Sequence, residues 1–136
     1  MYYTGVMNEP TQPKKIVIVE DNEALAEIYK ARLEAEGYVC HVASDGIAAL
    51  YIVQRELPDL VLLDLMVPAI AGDEVLKRMR ASDWGSNIPV HIMSNLNEAD
   101  APAGLRNLGI TGYTVKANLS DNQLDLLVNK ILQSTE

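Results

Sequence analysis

Asp59-Leu60-Val61-Leu62-Leu63-Asp64 is the run of residues from which the architecture of this chain follows. Four consecutive apolar residues between two carboxylates are typical of a strand that is buried on both faces, as in a parallel sheet. Asp64 then lies at the carboxyl end of that strand. Because open α/β sheets bind their ligands at this end of the strands, Asp64 is the first candidate functional residue.

The composition is that of one globular domain. The chain has 136 residues, of which 49% are hydrophobic and 22% charged, and this length allows a substantial core. The net charge of −8 disfavours nucleic acid as a direct ligand, and no apolar run is long enough for a membrane span. Cys40 is the only cysteine, so an internal disulfide is excluded and a cytoplasmic location is expected. We predict a flexible tail over residues 1–13 and a single domain over residues 14–136.

Apolar runs and helical patterns alternate along the chain. After each predicted strand, apolar residues recur at helical spacing. In the first helix these residues are Leu25, Ile28, Tyr29 and Leu33. The segment 97–108 is predicted as a short fourth helix, which Pro102 and Gly104 weaken. The predicted strands are 16–19, 38–42, 60–63, 88–93 and 113–115.

This alternation predicts the topology of the sheet. Strands that alternate with helices indicate a parallel sheet with helices on both faces, and right-handed crossovers leave few strand orders. The first, third and fourth strands are the most apolar and therefore central, whereas the second and fifth are mixed in character, as edge strands are. We predict an α/β fold with a five-stranded parallel sheet in the order 2-1-3-4-5, the flavodoxin-like doubly wound arrangement.

Polar residues follow four of the predicted strands at the same edge of the sheet. Each alone is compatible with a helix cap or an ordinary loop residue, but five at corresponding positions indicate a shared site. They are Glu20 and Asp21 after the first strand, Asp64 after the third, Ser94 after the fourth and Lys116 after the fifth.

The three carboxylates of this group need positive charge nearby. At about 4 Å and an effective dielectric constant near 20, each pair of carboxylates repels by roughly 4 kcal/mol. Lys116 supplies one positive charge, and the remainder favours a divalent cation bound by oxygen, with Mg²⁺ as the expected ion. Cys40, His41 and His91 lack the spacing of a Cys/His metal site.

From residue 14 to about residue 134, the chain resembles the receiver domains of response regulators. The loop Asp64-Leu65-Met66-Val67-Pro68, followed by Gly72, resembles the phosphorylation loop of that family. The other residues that carry the resemblance are Glu20, Asp21, Ser94, Tyr113 and Lys116. A single-domain receiver of the chemotaxis-regulator type, standing alone or excised from a longer protein, is therefore expected.

The resemblance implies Mg²⁺-dependent phosphoryl transfer to Asp64. The donor would be a phosphohistidine on a partner histidine kinase or histidine phosphotransfer protein. Asp21, Asp64 and the backbone carbonyl of Met66 would ligate Mg²⁺, with Glu20 acting through a bound water. Such a chain is a signalling phosphoacceptor that promotes its own phosphorylation and dephosphorylation, and it is not an enzyme with a separate substrate.

The resemblance also implies a switch. Lys116 would neutralise the phosphoryl oxygens, Ser94 would move to hydrogen-bond them, and Tyr113 would rotate inward. These movements would change the face formed by the fourth helix, the fifth strand and the last helix, which a downstream protein target reads. The chain is expected to be a monomer or a weak homodimer that contacts neither nucleic acid nor a membrane directly.

Two residues depart from the family pattern. Asn95 stands where the family usually has a small residue such as Ala, so we expect it to modulate access to Asp64 and to slow phosphoryl entry and hydrolysis. Ala117 stands where the family usually has a cis proline. Because a non-proline cis bond costs about 2.5–4 kcal/mol, we predict a trans Lys116–Ala117 bond.

Two other functions fit the same architecture. A pseudo-receiver would be an interaction module that no longer needs phosphate; the complete acidic set and Lys116 disfavour it, whereas Asn95 and Ala117 leave it open. A flavodoxin-like flavin binder is disfavoured because the loop after the first strand lacks a Gly-rich or Ser/Thr-rich phosphate cradle. Phosphodonor labelling of Asp64 distinguishes the three functions.

Overall fold

A five-stranded parallel sheet forms the centre of the molecule in a computed structural model that describes residues 12–120 and 122–133. The strands are β1 (Lys15–Val19), β2 (Val39–Ala43), β3 (Leu60–Leu63), β4 (Val90–Ser94) and β5 (Gly112–Val115). Their order is β2-β1-β3-β4-β5, which confirms the prediction. The predicted tail over residues 1–13 lies almost entirely outside the described residues.

Four α-helices cover the sheet within the described part of the chain. The first helix begins after Asn22, whose side chain accepts a hydrogen bond from the Leu25 N–H at 3.0 Å, and Gly37 follows its end with a φ of 97°. These are the usual N-terminal cap and C-terminal stop. The helices are α1 (Glu23–Ala35), α2 (Gly46–Glu56), α3 (Gly72–Arg80) and α4 (Gln123–Gln133).

The alternation of side chains along the strands divides the core into two apolar layers. Val17 and Val61 pack with residues of α2 and α3, whereas Ile16 and Leu60 pack with residues of α1 and α4. Every residue of β3 is buried, as expected for a central strand covered on both faces. The apolar run that follows Asp59 is therefore the middle of the sheet, and it holds Asp64 at its carboxyl end.

The fourth crossover contains two 3₁₀ turns, Glu98–Asp100 and Arg106–Leu108, where the sequence predicts a short α-helix. Ala101, which precedes Pro102, is extended with φ −80° and ψ 163°, because the proline ring disfavours the helical conformation at that position. Gly104 has a φ of 87°, which no residue of a right-handed helix adopts. The prediction of a helix in this segment is therefore wrong.

His91 of β4 is a structural residue. It is 4% exposed, and its Nδ1 and Nε2 lie 2.8 Å from the hydroxyls of Thr111 and Thr114. Burial, with a smaller contribution from the charge of Arg106, lowers the pKa of His91 to about 4. The ring is therefore neutral at physiological pH and ties β4 to the edge strand β5.

We predict that the protein loses stability as the pH falls from about 6.5 to about 4. Unfolded His91 takes up a proton near pH 6.5, whereas folded His91 does so near pH 4. The unfolded state therefore binds more protons in this window, and the free energy of unfolding decreases as the pH falls, by roughly 3 kcal/mol from this residue.

Denaturant unfolding at a series of pH values measures this effect. A His91→Gln variant should lose this part of the pH dependence, while the control His41→Gln, at a half-buried site on β2, should retain it. An equally steep loss in His91→Gln and the native chain would show that other groups cause it.

Candidate functional site

The register of the strands brings the predicted site residues together at the carboxyl edge of the sheet. β1 and β3 end in register, so Glu20 and Asp64, which follow them, emerge side by side. β4 and β5 also end in register, with Ser94 paired with Val115. Lys116, which follows Val115, therefore emerges close to Ser94. Glu20, Asp21 and Asp64 each place a carboxylate oxygen within 4.8 Å of the others. The structure therefore brings together the carboxylates that the sequence places at this edge.

The ammonium group of Lys116 bridges two buried carboxylates. Its Nζ donates to Asp64 Oδ2 at 2.6 Å and also to Glu20 Oε1. The side chains of Lys116, Asp64 and Glu20 are 8%, 7% and 3% exposed. Burial opposes the charge on Lys116, but the hydrogen bonds to Asp64 and Glu20 outweigh burial and raise the pKa of Lys116 above its ordinary value. Lys116 is therefore a stable positive charge in contact with Asp64.

The charges and donor atoms of the cluster fit a divalent cation. Three carboxylates and one ammonium group leave two negative charges that the site does not neutralise. Asp21 is exposed, so a hydrated ion can approach the cluster from solvent on that side. Oxygen ligands together with retained waters are the environment that Mg²⁺ prefers. Glu20, Asp21 and Asp64 are thus suited to hold Mg²⁺.

Backbone contacts fix Asp64 and the loop that follows it. The Met66 N–H donates to Asp64 Oδ1 at 3.0 Å, so the loop turns back and brings the Met66 backbone to the carboxylate. The Gly72 N–H donates to the Leu65 carbonyl at 2.9 Å, and a Cβ on Gly72 would lie 2.2 Å from the Asp64 carbonyl oxygen. This close approach requires glycine, which explains why Gly72 follows the loop.

Ser94 and Tyr113 contact the same backbone residue, Leu96. The buried Ser94 accepts a hydrogen bond at its Oγ from the Leu96 N–H at 3.2 Å. The hydroxyl of the half-buried Tyr113 donates to the Leu96 carbonyl at 2.8 Å. A movement of Ser94 would therefore break the hydrogen bond to the Leu96 N–H, while Tyr113 still binds the Leu96 carbonyl.

A cavity of about 330 Å³ lies beside Lys116 and includes both residues that depart from the family pattern. Asn95 and Ala117 line it together with Ile28 of α1. The Lys116–Ala117 bond is trans, which confirms the prediction. Ile28 was expected on the buried face of α1 but is 55% exposed, because the buried face is centred on other residues, namely Ala26, Tyr29 and Leu33.

Tyr29 is a neighbour of the site whose proximity the sequence did not reveal. It lines the same cavity, and burial raises the pKa of its hydroxyl, on which the charges of Lys116, Glu20 and Asp64 also act. Its spacing in α1 predicts a core residue and nothing more. Only the packing of α1 beside the carboxyl edge places its phenol near the acidic cluster.

Comparisons with known proteins agree with this geometry. The profile of the response regulator receiver domain matches residues 16–129. Sporulation initiation phosphotransferase F of Bacillus subtilis is 39% identical over 111 residues, which are 82% of this chain and 84% of that protein. The probable transcriptional regulator ycf27 of Cyanophora paradoxa is 37% identical over 124 residues, which are 90% of this chain and 50% of that protein.

A solved structure extends the comparison to a metal-bound site. The receiver domain of a sensor histidine kinase from Pseudomonas aeruginosa PAO1, solved with a magnesium ion coordinated in its active site cleft, is 25% identical to this chain. The two superpose with a TM-score of 0.74, and the match covers 90% of this chain and 99% of that one.

The chain belongs to the response regulator receiver domains of two-component systems. Members of this family are signalling phosphoacceptors that bind a divalent metal and interact with histidine kinases or phosphotransfer partners and with downstream effectors. The chain spans about half the length of the ycf27 relatives that it matches.

We predict that Lys116→Ala destabilises the protein by about 3–5 kcal/mol, because Glu20 and Asp64 are then buried without their counter-charge. Urea unfolding in metal-free buffer, followed by circular dichroism, measures the loss. Lys15→Ala is the matched control, since its 3.4 Å ion pair with Glu56 involves a side chain that is 43% exposed, and its effect should be far smaller. Equal losses in the two variants would contradict the structural role given to Lys116.

Proposed function

We propose that this chain is the phospho-accepting receiver of a two-component system or phosphorelay, with Asp64 as the phosphoacceptor. The observation that carries the proposal is the contact of Lys116 with Asp64, next to two further carboxylates that leave the site with excess negative charge. A site of this kind attracts a divalent cation, and it presents the Asp64 carboxylate as a nucleophile to an incoming phosphoryl group. The donor is a phosphohistidine of a histidine kinase or histidine phosphotransfer protein.

In this proposal Asp21, Asp64 and the Met66 backbone carbonyl would hold Mg²⁺, and Glu20 would act through a water molecule. When bound, the ion supplies positive charge to the oxygens of the transferring phosphoryl group. The proximity of the Met66 backbone to the Asp64 carboxylate supports its place in this set.

The chemistry asked of the protein is positioning and charge neutralisation. A carboxylate oxygen of Asp64 attacks phosphorus as the phosphorus–nitrogen bond of the phosphohistidine breaks, and the imidazole leaves. Lys116, which already hydrogen-bonds Asp64, neutralises charge on the phosphoryl oxygens. The phosphoryl group of the aspartyl phosphate carries about 1.5–2 negative charges, where the free carboxylate of Asp64 carried one.

The added charge operates the proposed switch. Ser94 leaves the Leu96 N–H, which it binds at 3.2 Å in this structure, to hydrogen-bond a phosphoryl oxygen. Tyr113 then rotates inward, and the face formed by the fourth crossover, β5 and α4 changes. A downstream protein target reads this face. The chain itself promotes its phosphorylation and dephosphorylation and has no separate substrate.

The similarity to sporulation initiation phosphotransferase F, matched over 84% of its length, supports a role in passing phosphoryl groups between proteins. No helix among the described residues is long and apolar enough to cross a membrane. We place the protein in the cytoplasm as a monomer or weak homodimer, with proteins and not nucleic acid or membranes as its partners.

Incubation with acetyl phosphate and Mg²⁺ should add one phosphoryl group to the native chain and none to Asp64→Ala. Intact-mass spectrometry measures the product. Asp59→Asn is the matched control, because Asp59 flanks the same strand at its other end, where it accepts a hydrogen bond from the Lys15 N–H at 2.8 Å; it should be labelled normally. Absence of Asp64-dependent labelling would contradict the proposal and favour an interaction module that works without phosphate.

Asn95→Ala should speed both phosphorylation and dephosphorylation, because Asn95 lines the same cavity as Lys116, whose ammonium group contacts Asp64. Time courses of labelling and of decay after removal of the phosphodonor measure the two rates. Asn97→Ala, two residues along the same loop and also exposed, is the control and should leave both rates unchanged. Unchanged rates in Asn95→Ala would remove the gating role.

A further inference from the structure

A cavity lies at the amino edge of the sheet, opposite the edge that carries Asp64. Its volume is about 540 Å³, and it is bounded by the end of α3, the segment before β4 and the end of the fourth crossover. Among the described residues that line it, Arg80 is the one cation and none is Asp or Glu. Such a lining is unexpected in a chain whose net charge is −8, and it favours an anionic ligand.

The guanidinium group of Arg80 is held in place by backbone carbonyls. Its Nε donates to the Leu108 carbonyl at 2.6 Å, its Nη1 to the Gly85 carbonyl at 2.9 Å and its Nη2 to the Gly109 carbonyl at 3.3 Å. Because a guanidinium group has a second N–H on each Nη atom, one donor on Nη1 and one on Nη2 remain for another acceptor. The group is therefore fixed at the cavity wall before any ligand arrives.

Arg80 is a half-buried positive charge without a carboxylate partner. No carboxylate in the described part of the chain lies within 4.0 Å of its nitrogen atoms. Burial lowers the pKa of Arg80, with no counter-charge to oppose the effect. A bound anion would supply that counter-charge. By contrast, every other described arginine has an acidic partner: Arg32 with Asp125, Arg55 with Glu56, Arg78 with Glu74 and Arg106 with Glu98.

Neutral hydrogen-bond donors line the same cavity. Ser86 and Asn87 are exposed, and neither their N–H groups nor their side chains are hydrogen-bonded to another described residue. The amide of Asn107 is exposed and equally unpaired within residues 12–120 and 122–133. The hydroxyl of Thr111 already contacts His91 and the Val90 carbonyl, so we do not count it. Guanidinium, hydroxyl and amide donors together suit an anion that only accepts hydrogen bonds.

We propose that this cavity binds a phosphate group, with Arg80 as the charged ligand and Ser86, Asn87 and Asn107 as neutral donors. Phosphate matches this set because its oxygens accept hydrogen bonds in several directions and arginine is well suited to bind them. The cavity is larger than a phosphate ion, so it has room for free phosphate or for the phosphate of a small ester. Binding requires neither a metal ion nor Asp64, which lies at the other edge of the sheet.

Titration of the isotope-labelled, full-length protein with inorganic phosphate, followed by NMR, tests the proposal. In metal-free buffer at constant ionic strength, saturable shifts should centre on the Nε–H of Arg80 and on the amides of Ser86, Asn87 and Gly109. Glycerol phosphate is titrated in parallel. Tighter binding of the ester would identify a phosphorylated small molecule as the ligand, and tighter binding of the ion would identify free phosphate. Shifts that do not saturate, or that centre on Lys116, would overturn the proposal.

Asn107→Asp is the decisive variant, because it adds a carboxylate to the cavity without removing Arg80 or its carbonyl contacts. Repulsion should weaken phosphate binding by about tenfold or more. Asn97→Asp is the matched control, since it adds the same charge to an exposed residue that precedes the first turn of the same crossover and does not line the cavity; it should bind as the native chain does. Arg80→Gln should abolish binding. Equal affinities in the two aspartate variants would overturn the proposal.

This proposal and the phosphoacceptor role of Asp64 can fail separately. Asn107→Asp should be labelled by acetyl phosphate and Mg²⁺ as the native chain is, and Asp64→Ala should bind inorganic phosphate in the cavity with native affinity. Loss of cavity binding in Asp64→Ala would show that phosphate binds at the phosphoacceptor edge, and would overturn the proposal.

Discussion

Two buried carboxylates that share one ammonium group are the interaction on which the site depends. Lys116 holds Glu20 and Asp64 together at the carboxyl edge of the sheet, and without it their repulsion would be severe in so buried a place. The pairing is incomplete, because Asp21 adds a third carboxylate. This remaining negative charge keeps the site receptive to a cation and sensitive to any group added to Asp64.

The fourth crossover is connected to this charge arrangement at its beginning and to the core at its end. Leu96 is held by both Ser94 and Tyr113, while the Arg80 guanidinium donates to the Leu108 carbonyl at 2.6 Å. Between these ends the segment forms only short 3₁₀ turns. It lacks the hydrogen bonds of a continuous helix and is held by side-chain contacts instead, among them the Arg106–Glu98 ion pair and the buried Leu105. The contact at its beginning involves Ser94 of the proposed switch.

The strands and their order were predictable because each carries a local signal. The run after Asp59 is apolar throughout, and the polar residues that follow the strands meet at one edge in any parallel sheet. The proximity of Tyr29 to Lys116 and the carboxylates was not predictable, since the spacing of Tyr29 in its helix indicates only a core position. Ile28 is exposed although it shares the helical spacing of buried residues. That spacing identifies an apolar stripe on the helix, but it does not tell which edge of the stripe packs against the sheet. The prediction of a helix in the fourth crossover was wrong because the backbone preferences of Pro102 and Gly104 outweigh a weak helical pattern.

The central claim is that Glu20, Asp21 and Asp64 form a divalent-cation site that Lys116 neutralises only in part. Titration of the isotope-labelled protein with Mn²⁺, followed by NMR, tests it directly. Paramagnetic broadening should centre on the amides of Asp21, Asp64 and Met66, and Asp21→Asn should greatly weaken it. Broadening centred elsewhere, or broadening that Asp21→Asn leaves unchanged, would contradict the account.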